Sequence, residues 1–173
     1  MTKTWWVGSM TLLLIGCAPA RVPELTDAER SAIADTVKQR VAAFGDAART
    51  RDTATYIRFF DQGPDLTFAE DGKIHQSRDS LLAAVSDFFR GHPALSLVWD
   101  TPPRIAVLSR DVASYTSTYR LIATDSSGKT DSTRHARTMV FVRRGGQWLM
   151  VHTHASAPPA AAAPPAAAGG KKR

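Results

Sequence analysis

The stretch that most constrains the fold is Arg134 to Ser156, RHARTMVFVRRGGQWLMVHTHAS. Two runs of alternating apolar and polar residues flank Gly145-Gly146, a pair that accepts positive φ and suits a tight hairpin turn. With these glycines as the loop, Arg144 pairs with Gln147. Counting outward sets Phe141 opposite Met150, Met139 opposite His152, and Arg137 opposite His154. Side chains alternate across a strand, so Arg137, Met139, Phe141, Met150, His152 and His154 are expected on one face, with Trp148 at its end. Thr138, Val140, Val142, Leu149, Val151 and Thr153 fall on the other. A mainly apolar face that carries one arginine and two histidines is the oddity of the chain. The register is an assumption, because a slip of one residue exchanges the faces.

The hairpin closes a chain whose earlier half reads as helical. Thr26-Asp27-Ala28-Glu29 is a capping-box signature. Ile33, Val37, Val41, Phe44 and Ala48 follow at steps of three and four, one apolar stripe on a helix ending near Thr50. Asp52 can cap a shorter helix that holds Tyr56, Ile57, Phe59 and Phe60, which Gly63-Pro64 stops. Asp65 to Ala69 reads as a short strand and Glu70 to Lys73 as a turn. Ser77 then caps a third helix with Leu81, Leu82, Val85, Phe88 and Phe89 on its buried stripe, ended by Gly91-His92-Pro93. Beyond it the period is two. Ser96 to Asp100 and Pro103 to Ser109 are two strands, or one strand broken at Pro102-Pro103. Val112 to Thr124 is a long strand. Helices grouped against a largely antiparallel sheet give an α+β class.

Charge and the two ends of the chain narrow the functional classes. The net charge is +6, yet Glu24 to Ser156 holds 17 Lys and Arg against all 16 acids. The excess sits in Lys3, Arg21 and Lys171-Lys172-Arg173, so the domain offers no broad footprint for nucleic acid. Lys3 precedes an apolar run from Trp5 to Ile15. Eleven residues at about 1.5 Å each fall well short of a ~30 Å bilayer core, so this is a signal-peptide pattern rather than a span. Leu14-Ile15-Gly16-Cys17 resembles a bacterial lipobox, which makes Cys17, the single cysteine, a candidate for lipidation and membrane anchoring. Ala18-Pro19-Ala20 leaves open an ordinary signal-peptidase site. Ala18 is not the aspartate that retains lipoproteins in the inner membrane, so in a Gram-negative source the outer membrane is the expected destination. The expected division is a signal peptide over 1–16, a linker over 17–25, one domain over 26–156, and an Ala/Pro-rich tail over 157–173 too poor in large apolar residues to fold alone.

The order of elements, with the ending Trp148-Leu-Met-Val-His152-Thr-His154-Ala-Ser156, resembles the nuclear transport factor 2-like superfamily. Within it the pattern is most similar to the SnoaL-like group that includes the association domain of calcium/calmodulin-dependent protein kinase II. That domain ends in a similar W-x-x-V-H-x-H-x-S run before an Ala-Pro pair. Its arginine-bearing strands are similar to Tyr119-Arg120-Leu121 and Arg137 to Trp148, and its early L-T-x-F strand to Leu66-Thr67-Phe68. The resemblance implies a cone-shaped, cystatin-like roll: a curved mixed or antiparallel sheet wrapped around the N-terminal helices, often dimeric, with a pocket between sheet and helices. It further implies that arginines on these strands line the pocket and hold small carboxylates, and Arg120 and Arg137 are the matching residues. No kinase is present, so calcium signalling does not carry over.

These readings set out the candidate residues. Arg137 with His154 is a candidate anion site, since a guanidinium gives bidentate donors and an imidazole adds a third. The alternative is that Arg137 pairs internally with an acid such as Asp100 or Glu70. The expected ligand set is Arg120, Arg137, His152, His154, Trp99 and Tyr56, around a small anionic or aromatic ligand. Catalysis is the competing class: superfamily isomerases and cyclases use an aspartate or histidine inside the cone, and His152 or His154 with Asp100 are the candidates. A third class is a non-catalytic assembly module, a homodimer formed through the outer face of the sheet. No cofactor is expected, nor a metal, because His152-x-His154 lacks a third ligand at a supporting spacing. His75, His92 and His135 are read as lying on turns or strand ends.

Overall fold

The computed structural model describes residues 24–100 and 102–158. The expected signal peptide, Cys17 and most of the Ala/Pro-rich tail lie outside the described residues. The architecture is α+β: three helices in the N-terminal half and a seven-stranded, curved, unclosed sheet.

Helix α1 spans Asp27–Thr50, and Thr26 forms the expected capping box with Glu29. Its stripe is buried at Val37, Val41, Phe44 and Ala48, with Ala47 added. It ends where Arg51 turns into the left-handed region at φ 55°. Asp52 then caps the one-turn helix α2, Thr53–Tyr56, by accepting from the Thr55 amide, and a 3-10 turn, Ile57–Phe59, follows. Phe44 is the hub of the resulting aromatic cluster, with ring centroids 4.6 Å from Tyr56, 5.7 Å from Phe59 and 5.9 Å from Phe60. Helix α3, Arg78–Gly91, starts at Ser77, whose hydroxyl accepts from the Ser80 amide.

Strands β1 (Thr67–Glu70) and β2 (Lys73–His75) form a short hairpin over Asp71-Gly72, both at positive φ. The sequence reading had β1 and the turn but not β2, which is too short and polar to show a period. Strands β3 (Ala94–Trp99) and β4 (Arg104–Ser109) both run antiparallel to β5 (Val112–Thr124) and lie end to end along one of its edges. They are one edge strand interrupted at the prolines, the second of the two alternatives. β6 (Thr130–Arg144) and β7 (Gln147–Ser156) complete the sheet in the order β2-β1-β7-β6-β5-β3. The β1–β7 pairing is parallel, so the sheet is mixed.

The hairpin turn is as expected: Arg144 pairs with Gln147, Gly145 and Gly146 take φ 56° and 79°, and Phe141 faces Met150. The register then breaks. Val140 pairs with His152, Met139 with Thr153, Thr138 with His154, and Arg137 with Ala155. The shift between Val140 and Phe141 leaves Val151 as an extra residue on β7, a β-bulge that exchanges the faces beyond it. At the same point the Met150 carbonyl accepts a 2.9 Å hydrogen bond from the Asp61 amide, so β7 is tied to the segment after the helices where it bends. The consequence is a correction. Thr153 and Ala155 are buried beside Met139 and Arg137, whereas His152 and His154 are exposed on the outer face.

Candidate functional site

Helices α2 and α3, the β1–β2 hairpin and the inner face of β3, β5 and β6 enclose a cavity of about 370 Å³. Its walls are mostly apolar: Leu81, Val85 and Phe89 from α3, Leu95 and Leu97 from β3, and Leu121 from β5. Polar groups gather at one place, where Arg137 and His135 of β6, Tyr119 of β5, Tyr56 of α2 and Glu70 of β1 meet.

Arg137 is the deepest of these charges. Its side chain is 5% exposed, and one guanidinium nitrogen lies 3.4 Å from Glu70 Oε1. Glu70 retains 35% exposure, so the pair joins a buried cation to a half-open carboxylate. The guanidinium carbon also lies 5.0 Å from the Tyr119 ring centre, 5.7 Å from Phe68 and 5.9 Å from Phe44. These negative ring faces support a desolvated cation. Burial works against the charge, while Tyr119, Tyr56 and Glu70 favour it, and the balance raises the Arg137 pKa. Arg137 is therefore charged at every physiological pH. Burial likewise pushes the Tyr56 and Tyr119 phenols up, Arg137 opposing it, so both remain neutral donors. Arg137 Nε has no hydrogen-bond partner among the described residues.

His135 sits two residues before Arg137 on the same face of β6, and is 5% exposed. It is paired across the sheet with Tyr119, and their rings stack at 5.1 Å and 17°. Neither of its ring nitrogens has a hydrogen-bond partner among the described residues. Burial lowers its pKa most; Arg137 acts the same way, against opposing contributions from Glu70 and Asp71. A buried, unpartnered donor–acceptor pair in a cavity wall is a group equipped to meet a ligand.

The remaining predicted residues divide. Tyr56 and Arg137 line the cavity. Arg120 points to the other face of β5, where it lies 3.4 Å from Asp100, and Arg134, its cross-strand neighbour, lies 3.2 Å from the same carboxylate. Two arginines directly opposite each other repel, and Asp100 between them offsets that repulsion. Asp100 is thus engaged outside the cavity and is not aimed at a reacting centre. His152 and His154 are outside it as well, for the register reason above. Trp99 faces inward but packs behind the site, 5.1 Å from Tyr119 and 5.6 Å from Tyr115, and borders a smaller hollow of about 220 Å³ against α1. Of the two internal partners considered for Arg137, Glu70 is the one observed. His135 is the residue that the sequence reading missed. Its signal was period two: once Arg137 is placed inward, His135 must follow. No cluster of three or more metal-ligating side chains occurs among the described residues.

The sequence profile of the SnoaL-like domain matches residues 37–161, well over half the chain. The chain belongs to the SnoaL-like family. No curated protein matches this SnoaL-like chain in sequence. Solved structures match it in fold. A nuclear transport factor 2-like superfamily protein of Salmonella enterica superposes with a TM-score of 0.69 at 17% identity, covering 81% of this chain and 98% of its own. A calcium/calmodulin-dependent protein kinase II association-domain-like protein of Xanthomonas campestris gives 0.61 at 22% identity, with 82% and 95% covered. A ketosteroid isomerase-like protein of Erwinia carotovora gives 0.63 at 14% identity, with 72% and 95% covered. At these identities the likeness is one of fold, and it bears out the expected resemblance to the nuclear transport factor 2-like superfamily.

Proposed function

We propose that this SnoaL-like chain is an exported bacterial lipoprotein whose domain binds a small ligand with an apolar or aromatic body and an anionic head. The observation that carries the reading is the buried Arg137, with Nε unpartnered, at the polar place of an otherwise apolar cavity. An anionic head meets the guanidinium and the two phenols, and the body lies against Leu81, Val85, Leu95 and Leu97. A volume near 370 Å³ suits a ligand of modest size. Export and anchoring rest on the Lys3–Cys17 pattern. Changing Cys17 to Ser is expected to move the protein from the membrane to the soluble fraction, and unchanged fractionation refutes the anchor. The binding claim is tested by titrating 3-phenylpropanoate into the wild type and Arg137→Met: one site is expected in the first and none in the second.

A second reading is a proton-transfer enzyme. His135 and Glu70 line one cavity, and His135 is held neutral as a base must be. One fold neighbour is described as ketosteroid isomerase-like. Exchange of carbon-bound protons of a bound ketone with solvent deuterium, abolished by His135→Gln, would establish it. For assembly, we propose a homodimer through the outer face of β6 and β7, where Val140, Val142, Leu149 and Val151 are only half-buried.

A further inference from the structure

His135 differs from every other polar group of the cavity in that both of its hydrogen-bonding atoms are fully buried and unmet. Neutral imidazole presents one donor and one acceptor, whereas the protonated ring presents two donors. The formal charges of the acids, lysine and arginine that line the cavity sum to zero. Arg137 on β6 is matched by Glu70 on β1, and Asp71 and Lys73 of the β1–β2 hairpin add one charge of each sign to the lining. His75 of β2, Tyr119 of β5 and Tyr56 of α2 complete the titratable groups lining this space, and α3 contributes none. An anion entering this cavity therefore arrives as one uncompensated negative charge beside the buried Arg137 and His135. To contact it the buried ring must turn a nitrogen toward the cavity, and the acceptor nitrogen would repel its oxygens. One proton on His135 removes both difficulties: it supplies the missing positive charge and turns the acceptor into a second donor. Residues two apart on a strand project about 6.6 Å from one another on the same face, so the two oxygens of one carboxylate can be shared between Arg137 and the His135 ring.

We propose that anion binding in this cavity is proton-coupled, a carboxylate seating on Arg137 as the His135 ring takes up one proton from solvent. The inference rests on the pocket reading above and adds to it a specificity-determining residue and a pH dependence. Reciprocity fixes the sign: if the anion favours the protonated ring, lower pH favours the anion. Affinity is full below the lowered pKa of the ring in the free protein, falls about tenfold in Kd per pH unit from there to the raised pKa of the complex, and levels off above it.

The test is calorimetric titration of the full-length chain at pH 7 with 3-phenylpropanoate and with its neutral amide. Tris and triethanolamine serve as buffers because they are cationic, differ in ionisation enthalpy and do not compete for an anion site. The expected result is uptake approaching one proton per carboxylate and none with the amide. In His135→Gln, which keeps a donor and an acceptor but cannot charge, uptake and pH dependence vanish and carboxylate binding weakens at least tenfold. In Glu70→Gln, which leaves Arg137 uncompensated, the carboxylate binds more tightly than in the wild type and without uptake. Carboxylate binding with no proton uptake in the wild type, or uptake that persists in His135→Gln, overturns the coupling while leaving the pocket intact. Failure of both probes to bind overturns the coupling and the pocket reading together.

Discussion

Arg137→Met separates a cation kept for a ligand from one kept for the fold. Arg137 is 5% exposed, and its one acidic partner, Glu70, is 35% exposed at 3.4 Å. Replacing a buried ion pair by apolar side chains of similar volume is commonly neutral or stabilising, by about 1–4 kcal/mol, because the desolvation cost disappears with the charges. Here only the cation is removed, and Glu70 is open enough to keep its hydration. Methionine also fills the space among Phe44, Phe68 and Tyr119 and retains contact with the rings. The loss of the cation–ring attractions, about 0.5–2 kcal/mol, opposes the gain. The net expectation for Arg137→Met is a stability within about 1 kcal/mol of wild type. Glu70→Ala leaves Arg137 buried and uncompensated. Breaking a fully buried pair costs about 3–5 kcal/mol, and the exposure of Glu70 reduces this to about 1–2 kcal/mol. Urea unfolding followed by circular dichroism measures both. Arg137→Met destabilised by more than about 3 kcal/mol, with Glu70→Ala neutral, would refute the reasoning and make Arg137 a structural cation.

Other expectations follow from single contacts. Thr153 is 1% exposed and its hydroxyl has no hydrogen-bond partner among the described residues, so Thr153→Val, which keeps the shape and removes the hydroxyl, should stabilise by about 1 kcal/mol. Its exposed neighbour His154 should tolerate the same residue within about 0.5 kcal/mol; the reverse ranking in urea midpoints contradicts the bulge. Phe44→Ala opens a hole at the hub of the aromatic cluster and should cost about 3–5 kcal/mol in the same assay. Because burial lowers the His135 pKa below its unfolded value, the unfolded chain binds the proton more readily. Stability from this group is present above pH about 6.5 and declines as pH falls through the two pKa values. Urea midpoints between pH 5 and 7.5 should show this decline in the wild type and lose it in His135→Gln.

The sequence carried a large part of the fold and less of the site. The capping box at Thr26, the stripe from Val37 to Ala48 and the Ser77 cap are local signals, and each appears where its residues place it. The Gly145-Gly146 turn and the facing of Phe141 and Met150 are local too. What failed was the extension of that register past Val151, because a bulge is decided by packing across the sheet and against the segment at Asp61, not by the strand's own pattern. That single residue moved His152 and His154 out of the candidate site. Arg120 failed for a related reason: adjacent residues on a strand face opposite ways, so with Tyr119 inward Arg120 must be outward. The Glu70 contact joins residues 67 positions apart in sequence. No spacing rule could select it, although Glu70 was one of the two acids named in the alternative reading.

The central claim is that the polar place of the cavity receives an anionic head group at Arg137. The most direct measurement is a crystal structure of the chain soaked with 3-phenylpropanoate, the same compound also titrated into Arg137→Met. The carboxylate is expected within hydrogen-bonding distance of Arg137 and His135, with its ring between α3 and β3, and no binding is expected in the variant. A ligand absent from the cavity, or bound equally by both proteins, would contradict it.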